Sequence, residues 1–548
     1  MVAPSKKVSE LAGRRRQPQG KRTMSVTVPA PQGGINALAG VANQTFNDAL
    51  YMDNMVPSEY GNAVRKGFKE WCPPIPAGDG IKTIIPFSNR QELVDNDKLF
   101  ACTSDGIYEI TQTGVAPVKK LDWPVKSTRA GWCSWTNYTT LAGYYILLCD
   151  LENGYYVYNG TTNVWAQGNI STKPPNGTPI DKTLDFVMVW KNRVWLIQQD
   201  SGIAYYLDTG EFQGATATQF NFGSKFRYGG YLKGLYNWTL DGGNGIDDYL
   251  VGISDAGDLV IYQGTDPGTA ATFAMRGVYY VGKVPRGRRI TTEYGGDLLV
   301  LSTFGALLAS KLVAGLPLGD EALSITSKVN SRLNDIMTRT LNQFGWEVKI
   351  YPAEHMLMVV IPKEAGVPPQ QYVYNMLTQS WCRFLGIPVK TAETWRGKFF
   401  FGSADNRIFT YEGYADNVLL GDNGESSYAI DWQLLHTFNT FGSPNYKRVQ
   451  MLRPQFVAGV APAYYVEARY DFDLERISSA PPYVDRGTST WDTGVWDTAQ
   501  WGGGFTRTGP TIGSLGIGRH IAVALRGRSS SDVIYVTTDV MLDSGGML

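Results

Sequence analysis

The sequence has little histidine, little cysteine and no excess of either charge. Its 548 residues include three histidines and five cysteines, and 50 basic residues balance 50 acidic ones. His355, His436 and His520 each stand without a Cys, His or carboxylate at a metal-ligand spacing, which argues against a zinc site. The cysteines are scattered and never form Cys-x-x-Cys, as expected for reduced, packed thiols. A net charge of zero creates no global attraction toward nucleic acid or membrane.

Long apolar runs and nucleotide or hydrolase motifs are also missing. No stretch approaches 18 consecutive apolar residues, and the first 25 residues lack the apolar core of a secretion signal. We therefore expect a reducing compartment and no stable membrane insertion. Gly-x-x-x-x-Gly-Lys-Ser/Thr, Gly-x-Ser-x-Gly and His-Glu-x-x-His do not occur. The sequence thus predicts no cofactor, no metal and no catalytic residue.

What the chain does contain is a repeated hairpin. Seven times a short apolar run meets a small polar turn and is followed by a second apolar run, as in Leu298-Leu-Val-Leu-Ser-Thr-Phe-Gly-Ala-Leu-Leu. The intervals between successive turns are 48, 48, 55, 48, 61 and 40 residues. The turn residues are Gly106, Gly154, Gly202, Gly257, Gly305, Gly366 and Asn406.

Two of the repeats share more than this outline. Tyr156-Val-Tyr-Asn-Gly-Thr-Thr-Asn-Val-Trp and Tyr372-Val-Tyr-Asn-Met-Leu-Thr-Gln-Ser-Trp agree at six of ten positions with identical spacing. A period near 50 with two visible strands leaves room for two more strands, which is the size of a four-stranded propeller blade. The sequence predicts an all-β fold with a six- or seven-bladed β-propeller. A set of unrelated β-sandwiches is the alternative, but no such long period is expected of it.

Changes in pattern along the chain predict four segments. Residues 1–25 form a basic flexible arm, residues 26–75 an irregular lead-in, residues 76–425 the propeller, and residues 426–548 a C-terminal β-sandwich-like domain. The 61-residue interval has the apolar spacing of an amphipathic helix, and the sequence predicts that this helix is inserted among the blades. The helix either serves contact or gating, or simply packs on the blades. Its apolar positions are Ile325, Val329, Leu333, Ile336, Met337 and Leu341.

The N-terminal arm is rich in positive charge. Seven cations face one acidic residue, Glu10, within 22 residues, and such a run is usually disordered. It is either an arm that contacts DNA phosphates or an acidic surface, or a solubilising tail. The cations are Lys6, Lys7, Arg14, Arg15, Arg16, Lys21 and Arg22.

Three tryptophans recur at intervals of five residues in a glycine-rich stretch of the C-terminal part. Trp491, Trp496 and Trp501 are candidates for an interface or a sugar-binding surface, with local packing as the alternative.

Acidic residues are frequent in the predicted turns. Propeller glycosidases use carboxylates on a central face, so a propeller that binds or cleaves glycans remains an alternative function. Aspartate in a hairpin turn, however, mostly accepts hydrogen bonds from its own backbone, which explains these residues without catalysis. They are Asp105, Asp200, Asp247, Asp248, Asp255 and Asp405.

One basic cluster lies inside the predicted propeller. Lys283-Val-Pro-Arg-Gly-Arg-Arg contains Lys283, Arg286, Arg288 and Arg289, with Pro and Gly that keep it out of a regular strand. The functional interpretation is a set of DNA-channel contacts to phosphates, and the alternative is a solvated loop.

Residues 245–267 (Gly-Ile-Asp-Asp-Tyr-Leu-Val-Gly-Ile-Ser-Asp-Ala-Gly-Asp-Leu-Val-Ile-Tyr-Gln-Gly-Thr-Asp-Pro), 282–289 and 295–302 resemble a block found in virion proteins of short-tailed phages. Val-Arg-Lys-Gly at 64–67, Arg-Pro-Gln-Phe at 453–456, Arg-Tyr-Asp-Phe at 469–472 and Gly-Gly-Met-Leu at 545–548 are similar to the same family. These are the tail nozzle proteins, also called tail tubular protein B or packaged-DNA stabilisation proteins. The basic arm matches no feature of that family.

The resemblance implies a structural virion protein of the phage tail that is assembled in the bacterial host cytoplasm. It implies a homohexameric ring that contacts the adaptor (head-to-tail connector) protein, carries tail fibres or spikes, and retains packaged genome until DNA ejection. Ring closure would repeat Arg286, Arg288 and Arg289 around any axis that they face. Contact with genomic double-stranded DNA is then expected through backbone charge, without sequence specificity.

Overall fold

The structure is a computed structural model that describes residues 23–91, 94–173, 177–239, 248–318, 320–421, 427–482 and 506–545. The basic arm, from Lys6 to Arg22, lies outside the described residues, and so do Trp491, Trp496, Trp501 and Asp247. The interpretations of those residues therefore stay predictions.

The chain is dominated by short strands, beginning with five near the N-terminus. These are β1 (Thr23–Pro29), β2 (Ala49–Asp53), β3 (Met55–Ser58), β4 (Gly61–Val64) and β5 (Phe68–Cys72).

The next strands build four sheets, each with four antiparallel strands in chain order; β16 adds a parallel strand to the third sheet, and β7 and β8 form a small separate pair. They are β6 (Thr83–Phe87), β7 (Arg90–Gln91), β8 (Val94–Asp95), β9 (Lys98–Cys102), β10 (Gly106–Glu109), β11 (Val118–Asp122), β12 (Cys133–Thr140), β13 (Gly143–Asp150), β14 (Gly154–Asn159), β15 (Val164–Gln167), β16 (Ile170–Thr172), β17 (Leu184–Trp190), β18 (Arg193–Gln198), β19 (Ile203–Tyr206), β20 (Ala215–Asn221), β21 (Leu232–Thr239), β22 (Asp248–Ser254), β23 (Asp258–Gly264) and β24 (Phe273–Tyr280).

Three further sheets follow, and two α-helices interrupt them. The elements are β25 (Thr291–Tyr294), β26 (Asp297–Ser302), β27 (Gly305–Leu308), α1 (Ala309–Val313), α2 (Asn330–Thr340), β28 (Glu347–Tyr351), β29 (Met356–Val360), β30 (Gln370–Asn375), β31 (Ser380–Leu385), β32 (Thr391–Trp395), β33 (Lys398–Gly402) and β34 (Ile408–Tyr411). The fifth sheet has three strands, β25 to β27, and the helices come where a fourth strand would be expected.

Together the sheets close into a seven-bladed β-propeller, counted over the described residues. The first strands of the blades, β6, β12, β17, β21, β25, β28 and β32, follow one another around the axis, and β32 contacts β6 to complete the ring. The seventh blade takes its fourth strand from β5, which pairs antiparallel with β34. Because β5 precedes the first blade in the chain but pairs in the seventh, it joins the first blade to the last and closes the ring. The prediction of a six- or seven-bladed propeller is confirmed.

The seven predicted turns all occupy the same place, between the second and third strands of a blade. Asn406 substitutes for glycine because its φ of 61° lies in the left-handed region that asparagine tolerates. The central residues of the second strands are mostly apolar because neighbouring blades cover both faces of these strands. The LLVL segment of β26 is fully buried.

The two most similar repeats are also equivalent in space. Tyr156-Val-Tyr-Asn lies in β14 and Tyr372-Val-Tyr-Asn in β30, each the third strand of its blade. The ring centroids of Tyr158 and Trp165 are 5.1 Å apart and those of Tyr374 and Trp381 are 5.0 Å apart.

The amphipathic segment forms a helix, as its spacing predicts. Within α2, Leu333, Ile336 and Met337 are buried against the propeller core. Val329 ends a 3-10 turn just before the helix, while Ile325 and Leu341 flank it and are partly buried. Of the two roles considered, packing on the blades accounts for this apolar face.

The C-terminal strands form a β-sandwich with help from the N-terminal ones. They are β35 (Ala415–Asp416), β36 (Tyr428–His436), β37 (Lys447–Ala458), β38 (Ala463–Tyr470), β39 (Thr506–Thr508), β40 (Ile512–Gly513), β41 (Ile521–Ser529) and β42 (Val533–Ser544). One sheet has the order β2-β36-β41-β38, and the other contains β3, β4, β42 and β37 with β1, β39 and β40 beside them. Trp432, Phe456 and Tyr535 meet between the sheets, with ring centroids 5.6 to 5.8 Å apart.

This arrangement corrects the segment boundaries drawn from the sequence. Residues 26–75 are not a separate lead-in, because β1 to β4 pair with or extend the sandwich sheets and β5 belongs to the seventh blade. The sandwich is also continuous with the propeller, since β2 pairs with both β31 of the sixth blade and β36.

Candidate functional site: the axial channel of the propeller

The loop between β24 and β25 brings two arginines to the centre of the propeller. Arg289 donates from one nitrogen to Thr391 Oγ1 (2.6 Å) and Glu347 Oε2 (3.2 Å), which belong to the seventh and sixth blades. Its other terminal nitrogen donates to the carbonyl of Lys82 and to Thr83 Oγ1, both at 2.8 Å, beside the first blade. One guanidinium thus connects the fifth blade to the sixth, seventh and first.

Arg288 makes the corresponding contacts with the third and fourth blades. Its guanidinium forms an ion pair with Asp185 and donates to the carbonyls of Leu232 and Lys233. The side chains of Arg288 and Asp185 are 7% and 2% exposed, so the pair is shielded from water. Burial, reinforced by the positive charge of Arg288, lowers the pKa of neighbouring Lys233 to about 7. We call Arg288, Arg289 and their carboxylate partners Asp185 and Glu347 the axial brace.

The structure therefore splits the predicted basic cluster into two pairs. Arg288 and Arg289 are engaged in the axial brace, so neither presents a free charge to a ligand. A DNA contact would require such a free charge, and the structure therefore does not support these two positions as phosphate contacts. Lys283 is exposed. Arg286 is half-buried, with its guanidinium carbon 4.4 Å from the ring centroid of Phe344.

Phe344 is the centre of a stacked group on the face of the propeller that carries the interblade loops. Trp132 stacks on Phe344 with ring centroids 5.6 Å apart and an interplanar angle of 20°. The ammonium of Lys390 lies 5.7 Å from the ring centroid of Trp132, and burial lowers the pKa of Lys390 to about 8. Cations and aromatic rings thus alternate as Arg286, Phe344, Trp132 and Lys390.

A cavity of about 360 Å³ lies at the axis and is bounded by both arginines of the axial brace. Two carboxylates, Glu347 and Glu393, line it together with Trp135, Asn237, Thr292 and Lys349. We call this the axial cavity. No sequence motif indicated Glu347 or Asp185, because each stands alone in its strand and gains its partner only when distant blades meet.

The aspartates below have partners within the fold, but these are side chains and the backbone of a neighbouring strand, not the backbone of their own turns as the sequence predicts. Asp105 pairs with Lys119 (2.6 Å) and Lys126 (2.7 Å), and their hydrogen bonds, with that of Tyr108, outweigh burial and lower its pKa. Asp255 accepts from the backbone N–H of Tyr231 at 2.8 Å. Asp248 accepts from Thr239, and Asp405 accepts from Ser403 and pairs with Arg407.

The histidines and cysteines are dispersed. His436 is buried in the sandwich with Nε2 3.0 Å from the hydroxyl of Tyr535, and burial lowers its pKa to about 3. All five cysteines are buried and unpaired in disulfides. Within the described ranges no group of three His, Cys, Asp or Glu side chains has the geometry of a metal site. Nor does any helix in those ranges have the length and apolar character needed to span a bilayer.

No protein-family model matches this chain, and no curated protein matches it. Among solved structures, it is similar to the computationally designed Ika8 protein, with a TM-score of 0.33 and 8% identity over 66% of this chain and 96% of that one. It is also similar to BBS1N in a complex with ARL6DN, with a TM-score of 0.28 and 12% identity over 45% of this chain and 74% of that one. Similarities this low carry no argument, so the fold assignment rests on the sheet topology above.

Proposed function

We propose that this protein is a structural, non-catalytic virion protein of a short-tailed phage that forms the ring-shaped nozzle of the tail. The supporting observation is the resemblance of residues 245–267, 282–289 and 295–302 to that family, because the described part of these ranges, from residue 248 onward, lies in the neighbouring fourth and fifth blades and the loop between them. They are the β22–β23 hairpin, the loop that carries Arg288 and Arg289, and β26 with the turn before it. The resemblance thus covers the two arginines of the axial brace, but not Asp185 or Glu347, and parts of the fourth and fifth blades.

The construction of the propeller suits an assembly part that must resist force. Arg289 joins four blades and Arg288 joins two more to the same loop, so separating blades requires breaking hydrogen bonds to charged groups in a poorly hydrated site. The β2–β31 pairing adds a direct connection between propeller and sandwich.

The axial brace has a consequence for the path of DNA in such a ring. Arg288 and Arg289 occupy the centre of each propeller, so the genome would pass between subunits around the symmetry axis rather than through the blades. From the basic loop, Lys283 and Arg286 are the cations left to contact phosphates, since Arg288 and Arg289 have protein partners. The proposed partners are a second copy of the chain, the adaptor protein, fibres or spikes, and the genomic duplex, in a particle assembled in the host cytoplasm.

Electron microscopy and light scattering of the purified protein, alone and with its candidate adaptor, test the proposal. We expect six-fold rings with a central opening and the mass of a hexamer. A protein that stays monomeric with the adaptor present would contradict the nozzle assignment.

DNA contact is tested separately by measuring duplex binding to the assembled ring over a range of salt concentrations. Replacing both Lys283 and Arg286 with Ala should reduce the slope of log K against log salt by about 1 to 2, because each lost phosphate contact releases roughly one counterion fewer. Lys311→Ala, at an exposed position on α1, is the matched control. An unchanged slope in the double variant would remove this loop from the DNA path while leaving the ring assignment intact.

A further inference from the structure

The axial cavity is a formed pocket within the size range of small-molecule sites. The first strands of the second to seventh blades supply its wall, and Arg288 and Arg289 bound it. Its volume of about 360 Å³ lies in the range of protein ligand sites. The walls are fixed by blade packing, so the cavity exists before any ligand binds.

Glu347 is the most informative group in this wall. Its side chain is 4% exposed, and Oε2 accepts from Arg289 (3.2 Å), Thr391 Oγ1 (3.2 Å) and the N–H of Ala392 (3.2 Å). Oε1 is buried and accepts from no donor in the described part of the chain. A buried carboxylate oxygen without a donor is costly. Oε1 has less than 1 Å² of accessible surface, so a ligand O–H or N–H reaches it when the Glu347 side chain turns toward the cavity, and that bond would be favoured.

Two other polar side chains of the wall are available to a ligand. Neither the amide of Asn237 nor the hydroxyl of Thr292 makes a side-chain hydrogen bond within the described residues, and both line the cavity. Trp135 adds a half-buried indole to the same wall. An aromatic ring beside an amide, a hydroxyl and a carboxylate is suited to a ligand with an apolar face and several hydroxyl groups.

The charges of the cavity cancel in pairs. Arg288 pairs with Asp185, Arg289 with Glu347, and Lys349 with Glu393 at 2.6 Å. An anionic ligand would have to compete with the carboxylates that already pair with the arginines and the lysine. A cationic ligand would have to compete with those basic side chains for the carboxylates. The cavity therefore favours a neutral polar ligand.

We propose that the axial cavity binds a neutral saccharide, one pyranose ring seated against Trp135 with a hydroxyl donating to Glu347 Oε1. Asn237 and Thr292 then bond to further ring hydroxyls, and the C–H face of the ring lies on the indole. This inference does not rest on the nozzle proposal, because it depends only on groups inside a single propeller.

Calorimetric titration of the full chain with glucose, galactose, mannose, rhamnose and N-acetylglucosamine tests the site. A single hexose has few heavy atoms, so it is expected to bind weakly, with a Kd of roughly 2 mM. Saturation-transfer NMR should show the strongest transfer to the ring protons on one face, those held against Trp135. Methyl glycosides of the sugar that binds best distinguish two possible sources of the ligand. Binding that is retained indicates a sugar residue within a glycan chain, and binding that is lost indicates a free sugar.

The decisive variant combines Asn237→Ala and Thr292→Val, which removes two ligand bonds without removing a side-chain hydrogen bond of the described residues. It should raise Kd roughly tenfold or more while the melting temperature stays unchanged. Thr239→Val, on the same strand as Asn237 but outside the cavity, is the control and should bind as the unaltered protein does. Absence of binding across the panel at sugar concentrations of about ten times the expected Kd, or equal binding by the double variant, would overturn the proposal.

Discussion

Arg288 and Arg289 are adjacent in the chain but bond to different blades. Arg288 reaches Asp185 in the third blade, and Arg289 reaches Thr391 in the seventh and Thr83 in the first. One dipeptide therefore holds the centre of the ring. The fourth strand of the seventh blade, β5, closes the same ring from its outer edge.

The Arg288 and Asp185 pair predicts a measurable compensation. Arg288→Met leaves a buried, unpaired carboxylate, so the free energy of unfolding should fall by about 3 to 5 kcal/mol. Adding Asp185→Leu removes that charge and should recover most of the loss, because an apolar pair of similar volume replaces the ions. Urea denaturation of the two variants, with Lys283→Met as an exposed control in the same loop, measures both effects. Strictly additive losses in the double variant would show that the two side chains are not coupled.

Asp53 predicts a weak point at the junction of propeller and sandwich. Burial alone would raise its pKa, but Arg383 at 2.8 Å and Arg476 outweigh burial and hold the pKa below its usual range. Asp53→Asn should cost about 1.5 to 3 kcal/mol, since it weakens hydrogen bonds to charged groups, while Arg383 and Arg476, 18% and 38% exposed, stay partly hydrated. Asp431→Asn breaks a partly exposed pair with Arg526 in the same sandwich, in which the carboxylate is 36% exposed, and should cost about 1 kcal/mol or less. Equal losses, measured by denaturation, would mean that the junction does not depend on this charge.

Gly305 and Gly366 occupy equivalent turns in the fifth and sixth blades, and they make a matched pair for substitution. Both have φ values in the left-handed region, 104° and 76°, so alanine is strained at either position. A Cβ at Gly305 would lie 2.3 Å from Thr326 Oγ1, whereas none of the described atoms comes within 4 Å of a Cβ at Gly366. Gly366→Ala should cost about 1 to 2 kcal/mol from backbone strain, and Gly305→Ala a further 1 to 3 kcal/mol from overlap. Melting curves that rank the variants in the opposite order would contradict the assigned turn geometry.

His436 predicts acid sensitivity in the sandwich. Its folded pKa of about 3 lies below the ordinary 6.5, so the unfolded chain binds the extra proton between these values. Stability is therefore complete above pH 6.5 and falls as the pH drops, by about 1.4 kcal/mol per pH unit for one proton. Unfolding between pH 7 and 5 should show this slope, and His436→Phe should remove it. An unchanged slope in that variant would assign the acid sensitivity to other groups.

The repeat of strands and turns was predictable because its signals are local. Gly257 and Asn406 each indicate a turn together with a few neighbouring residues. The apolar run of β26 indicates a strand that is buried on both faces. The same holds for α2, whose apolar positions follow the helical period. Seven copies at one period then indicated a propeller without any long-range information.

The partners across the fold were not predictable in this way. Arg288 and Asp185 lie 103 positions apart, and Arg289 and Thr83 lie 206 apart, so nothing near one residue identifies the other. The assignment of β1 to β4 to the sandwich is a similar case, since Thr23 pairs with Asp543. The sequence predicts four DNA-channel candidates in the basic cluster or a solvated loop, whereas two of the four, Arg288 and Arg289, form ion pairs within the protein.

The sequence by itself determined the repeating unit of this protein, because strand burial and turn conformation depend on side chains within a few residues of each other. Only the tertiary structure decided which strands close the ring and the sandwich, and which charges neutralise one another at the axis. Those choices depend on distances between segments far apart in the chain. Glu347 shows the difference: its strand was recognisable from the apolar pattern around it, but its position beside Arg289 and the axial cavity exists only in the closed ring.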